Sequence, residues 1–93
     1  MAVTSKQVTQ TASAVQCAPL GTYARSIVFQ NNASNNMRLA DANVTTTRGI
    51  LILAGGSNFA PPPAESGAHL DLGQWWTIGT NADKLDIVYD AMN

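Results

Sequence analysis

The sequence predicts a small all-β domain, an antiparallel β-sandwich or jelly-roll-like barrel, and three observations carry that prediction. Apolar and polar residues alternate through 23–30, 37–41, 69–72 and 84–90, the period of a strand with one covered face. Turn clusters rich in Asn, Gly, Asp and Pro separate these runs at intervals of roughly 8–12 residues, the spacing of sandwiches and barrels. No stretch carries a helical apolar stripe for more than a turn.

Residues 1–20 are rich in Thr, Ser, Gln and Val, with no helical apolar stripe and a moderate β propensity. They read as an extended N-terminal arm with one edge strand near 14–18, set before a single sandwich domain at 21–93. Such an arm either frays or adds a strand to a neighbour's sheet. Pro19-Leu20-Gly21 punctuates the domain start. In 23–30, Tyr23, Ile27 and Phe29 share one face and Val28 takes the other, so we expect a mostly covered strand. The Asn-rich tip at 31–36 suits a turn, because Asn tolerates positive φ and bonds its own backbone. With Met37 and Leu39 alternating beyond it, 23–41 reads as a hairpin.

The chain looks organised around 38–56, RLADANVTTTRGILILAGG. Ile50-Leu51-Ile52-Leu53-Ala54 is its most apolar run and has no polar break, so a central strand covered on both faces is expected. Gly49 marks the entry and Gly55-Gly56 the exit. Pro61-Pro62-Pro63 fixes an extended surface connection that cannot join a ladder. Leu70 and Leu72 should point inward, with His69 and Asp71 outward. Trp75 and Trp76 are adjacent and must take opposite faces. We place Trp76 in the core with Ile78, and Trp75 at a partner contact, where aromatic anchors are enriched. Leu85, Ile87 and Tyr89 then face inward from the last strand.

Ninety-three residues make one domain of marginal stability. One cysteine and one histidine leave no disulfide network and no metal cluster, so partner subunits are the expected additional support. Charged residues are 12% of the chain, about half the globular average. The five Lys and Arg are scattered singly, which argues against a nucleic-acid partner. Residues 1–20 have no charged region followed by an apolar block, and the longest apolar run is far short of a membrane span. Neither export nor a membrane partner is expected.

No catalytic residue, cofactor site or metal site emerges. His69 has Asp71 two positions on but no nucleophile to complete a triad. Cys17 reads as a small buried apolar residue. Asp41-x-Asn43-x-Thr45 begins like a calcium loop, then fails at the glycine position (Thr46) and the final acid (Ile52). The chain does not read as an enzyme.

Three segments in order, S-I-V-F-Q-N-N, then R-L-A-D-A-N-V-T-T-T-R-G-I-L-I-L-A-G-G-S, then W-W-T-I-G-T-N-A-D-K-L-D-I-V-Y-D, give the chain a family likeness. It resembles the small β-sandwich virion proteins of tailed bacteriophages, with the prolines at 61–63 as a departure. The resemblance implies a structural virion protein, foremost a capsid decoration (cement) protein on the capsid surface, assembled in the host cytoplasm. Its partners would be the major capsid protein, or another virion structural protein, and its own copies as a trimer or dimer. A head–tail, neck or tail accessory protein is the alternative. A glycan- or host-binding β module is a third reading. Val3, Val8 and Val15 of the arm, the Pro61, Pro62 and Pro63 loop, and Trp75 are the partner-contact candidates.

Overall fold

The computed structural model describes residues 2–65 and 68–92, and within them nine strands form two antiparallel sheets. In chain order these are β1 (Ala2–Thr9), β2 (Val15–Gln16), β3 (Tyr23–Asn31), β4 (Met37–Ala40) and β5 (Ile50–Ile52). Then come β6 (Ser57–Phe59), β7 (Leu70–Asp71), β8 (Trp76–Ile78) and β9 (Lys84–Ala91). The first sheet runs β1-β9-β3, with β6 and β7 paired to opposite ends of β3. The second runs β2-β8-β4-β5. Helical backbone among the described residues is a single 3-10 turn at Leu72–Gln74, and no helix is long and apolar enough to cross a membrane. The protein is an all-β sandwich, as the alternation predicts.

The two covered faces meet in one core. Val8, Ile27, Phe29, Leu85 and Ile87 come from the first sheet, and Met37, Leu39 and Ile52 from the second. Leu72, Cys17, Ala18 and Ala24 close the ends. Ile27, Phe29, Leu39, Ile52 and Ile87 lie where strand alternation puts them, while Tyr89 packs on the core half-buried. Burial pushes the Cys17 thiol up to about 12 from an ordinary 9.0, with the Lys6 charge opposing the shift. At neutral pH it is a protonated, apolar filler.

Three expectations change. Residues 2–9 are no arm. They form β1, paired along its whole length with the chain's own β9, from Ala2 opposite Ala91 to Thr9 opposite Lys84. The radius of gyration, 12.5 Å, matches about 12 Å for a globule of this length and leaves no extended appendage. Ladder bonds to β9 supply what these side chains cannot, since Val8 alone among the described side chains of β1 is buried.

The expected hairpin across 23–41 is an arch instead, because β3 and β4 lie in different sheets. Asn31 holds it. Fully buried, it donates through Nδ2 to Asn35 O (2.9 Å) and Ile52 O (3.0 Å), and its Oδ1 accepts from Ala33 N (3.0 Å). These bonds satisfy the crossing backbone without a ladder.

The facing of β3 also shifts. Its register against β9 slips between Ala24 and Ile27, a bulge that turns Ala24 inward and leaves Tyr23 exposed. Val28 is exposed too, so the strand is covered on one face rather than both.

Candidate functional site

The apolar run expected at the centre of the fold lies at its edge. β5 pairs with β4 alone. Ile52 is buried, whereas Ile50, Leu51 and Leu53 keep 39%, 45% and 51% of their surface exposed. Unbroken apolarity does not reveal how many neighbours a strand has, and the pleat still turns successive side chains to opposite faces. Leu51, Arg38 and Ile78 oppose one another across the ladders and share the outer face of this sheet.

The loop before β5 shapes this edge. Val44 is buried, and Gly49 sits at φ +125°, where a Cβ would lie 3.0 Å from Val44 Cγ2. The positive φ strains any side chain there, and Val44 would have to give by a few tenths of an ångström to admit one. Arg38 donates from Nε to Thr46 O (3.0 Å) and from Nη1 to Gly49 O (2.8 Å). Its guanidinium is thereby engaged in the fold and fastens the loop to β4. No Lys, Arg, Asp or Glu occurs from 49 to 60. This three-residue edge has no charge, proline or bulge and presents leucines beside a strand that pairs on one side only, while its Ile52 O accepts from Asn31 Nδ2 (3.0 Å).

The β1 edge of the other sheet contrasts with it. β1 places the half-buried Lys6 on its inward side, opposite Ile87, and an inward charge deters edge-to-edge pairing. The outer face beside it mixes the exposed Val3, Val28 and Val88 with polar groups that are internally satisfied. Asp86 accepts from Gln7 Nε2 (2.8 Å) and Asn32 Nδ2 (2.7 Å), and Lys84 Nζ donates to Thr9 Oγ1 (3.0 Å). Groups that already have partners gain little by docking.

The partner-contact candidates scatter. Val3 is 79% exposed on β1, Val8 is buried, and Val15 packs half-buried against the core. Pro61 is buried while Pro62 and Pro63 are exposed, and the segment runs beside β3, with Ala64 N donating to Arg25 O (2.8 Å). Trp75, expected at a partner contact, instead packs its indole on Phe29 and Phe59, at 5.4 Å and 6.0 Å between ring centroids. Trp76 is half-buried, opposite Ala40 and Gln16. The 3-10 turn before β8 sets this phase, bringing position 75 rather than 76 onto the core.

His69 is exposed with its ring 4.1 Å from that of Tyr23. Asp71 accepts from Gly73 N (2.9 Å) and Gly21 N (3.2 Å) and caps the 3-10 turn. Among the described residues, no group of three or more His, Cys, Asp and Glu is placed to hold a metal ion. The residues that sequence reasoning missed are Ile50, Leu51 and Leu53 as surface. Their one legible signal is the charge-free stretch around them. No family model, curated protein or solved structure matches the chain.

Proposed function

We propose that the chain is a structural virion protein of a tailed bacteriophage, a capsid decoration (cement) subunit bound to the major capsid protein lattice as a dimer or trimer. The observation that carries this reading is the uncharged, apolar edge at β5, which falls inside the segment bearing the phage resemblance. Strand addition at an open edge supplies main-chain hydrogen bonds with little demand on side chains. Leu51 and Leu53 add apolar area to bury, at about 25 cal/mol per Å². Repetition over a lattice multiplies such modest contacts through effective concentration. A low charge content suits a protein whose surface is largely apposed to other protein.

Copy number against the major capsid protein in purified particles tests the proposal. A decoration protein is present in hundreds of copies, on the order of one per lattice subunit. A count of roughly six to a few dozen, the size of a closed ring, would place it at the neck or tail instead. Absence from particles would remove the virion role altogether.

A further inference from the structure

A second feature stands apart from β5. An open groove of about 390 Å³ lies between the end of β4 and the 69–75 segment, lined chiefly by Asp41, His69, Asp71, Gln74 and Trp75. That volume is at the lower end of small-molecule sites, about 300–1,000 Å³. Trp75 packs against Phe29 and Phe59 with rings tilted by 52° and 56°, and, half-buried, it also lines the groove. Tyr23 braces His69 in the same way from outside.

The polar groups are positioned and partly free. Asp71 is fixed by Gly21 N and Gly73 N, and Asp41 Oδ1 accepts from Asn43 N (2.9 Å). Asp41 Oδ2 and the Gln74 amide have no hydrogen bond to any described residue. The two aspartates and the absence of a lining Lys or Arg make the groove unfavourable for phosphates and carboxylates. A ligand suited to it has apolar C–H faces for the indole and uncharged donors for the carboxylate and amide. Neutral sugars have both.

We propose that this groove is a binding site for neutral carbohydrate, with a pyranose ring over Trp75 and adjacent hydroxyls donating to Asp41 Oδ2 and exchanging hydrogen bonds with Gln74. Asp71 and His69 bound the site and limit the ring's orientation. An aromatic platform with a few convergent polar groups gives orientation and weak affinity, with Kd roughly millimolar for so open a site. A cationic side chain is the competing occupant, since indole and carboxylate attract it too. The groove has one aromatic platform rather than an aromatic cage, and each carboxylate already accepts a backbone N–H, which favours the sugar.

The site uses no residue of β5 and is testable on the isolated chain. Maltotriose, cellotriose and tri-N-acetylchitotriose, with trilysine and inorganic phosphate alongside, are titrated to 50 mM against the 15N-labelled protein. The expected result is saturable movement of the Trp75 indole and Gln74 signals with at least one trisaccharide, and none with trilysine or phosphate. Gln74→Ala and Asp41→Asn, both at exposed positions, should each weaken binding about fivefold, the loss of roughly one hydrogen bond. Asn keeps the acceptor for Asn43 N, so folding is preserved. No response to any trisaccharide, a response to trilysine alone, or unchanged affinity in both variants would overturn the proposal.

Discussion

Thr77 Oγ1 lies 3.0 Å from Gln10 Oε1, and neither residue has any exposed surface. The pair joins the two sheets, since Gln10 directly follows β1 and Thr77 is the middle residue of β8. Gln10 is pinned further by its backbone, with its N–H donating to Asp83 O (2.7 Å) and its carbonyl accepting from Ala82 N (3.1 Å). Its Nε2 donates to Val8 O (3.2 Å), so both polar atoms of the buried amide have a partner within the protein. Thr77→Val keeps the shape and removes the one hydroxyl proton that Gln10 Oε1 shares with Arg38 O (3.0 Å), leaving Gln10 Oε1 buried without a donor. A loss of about 1–3 kcal/mol in urea unfolding is expected, with Thr77→Ser falling closer to wild type. Equal stability of Thr77→Val would show that the inter-sheet bond contributes nothing.

Gly73 is a position where no side chain fits. A methyl group there would lie 2.5 Å from Pro19 O and 2.6 Å from Leu20 Cα, both main chain and unable to swing away. Gly73→Ala should therefore push the 3-10 turn off the 19–20 segment and cost about 1–3 kcal/mol or more. In thermal unfolding that is a fall of about 5–20 °C for a domain of this size. An unchanged melting temperature would mean the turn does not pack as described.

Cys17 makes a prediction in alkali. Its folded thiol ionises near 12 and an unfolded one near 9.0, so between those values the unfolded chain loses a proton that the folded chain keeps. Stability from this group is complete below about pH 9 and declines by up to about 1.4 kcal/mol per pH unit as pH rises towards 12. Comparing Cys17→Ala with wild type isolates it, because lysines and tyrosines are common to both. The variant's stability should fall less steeply above pH 9. Parallel curves would contradict the burial of the thiol.

Much of the fold is legible locally, and the rest is decided at long range. Alternation at 84–90 and 37–41 fixes which residues face the core, because a pleat obeys the same rule in any sheet. Which sheet a strand joins is not a local property. Asn31–Asn36 has the composition of a hairpin tip, yet the buried Asn31 bonds reaching Ile52 make it an arch between sheets. Residues 2–9 have no stripe of their own and become a strand because β9 offers an edge. A bulge near Ala24 reverses the facing of Tyr23, and nothing in the composition of 23–27 announces it. The candidate surface was hidden for the same reason, since the apolarity of 50–54 reads alike for a buried strand and an exposed edge.

The role of β5 rests most directly on a retention measurement. Leu51→Lys combined with Leu53→Lys puts two charges on the exposed edge, at positions that are 45% and 51% accessible, and should leave folding intact. Val88→Lys, on the outer face of the other sheet, serves as the control. Copies per purified particle are counted for each, alongside the melting temperature of the free protein. The proposed function predicts that the double variant melts within a few degrees of wild type while its occupancy falls at least tenfold, with Val88→Lys retained in full. A well-folded double variant that still occupied particles at the wild-type level would contradict it.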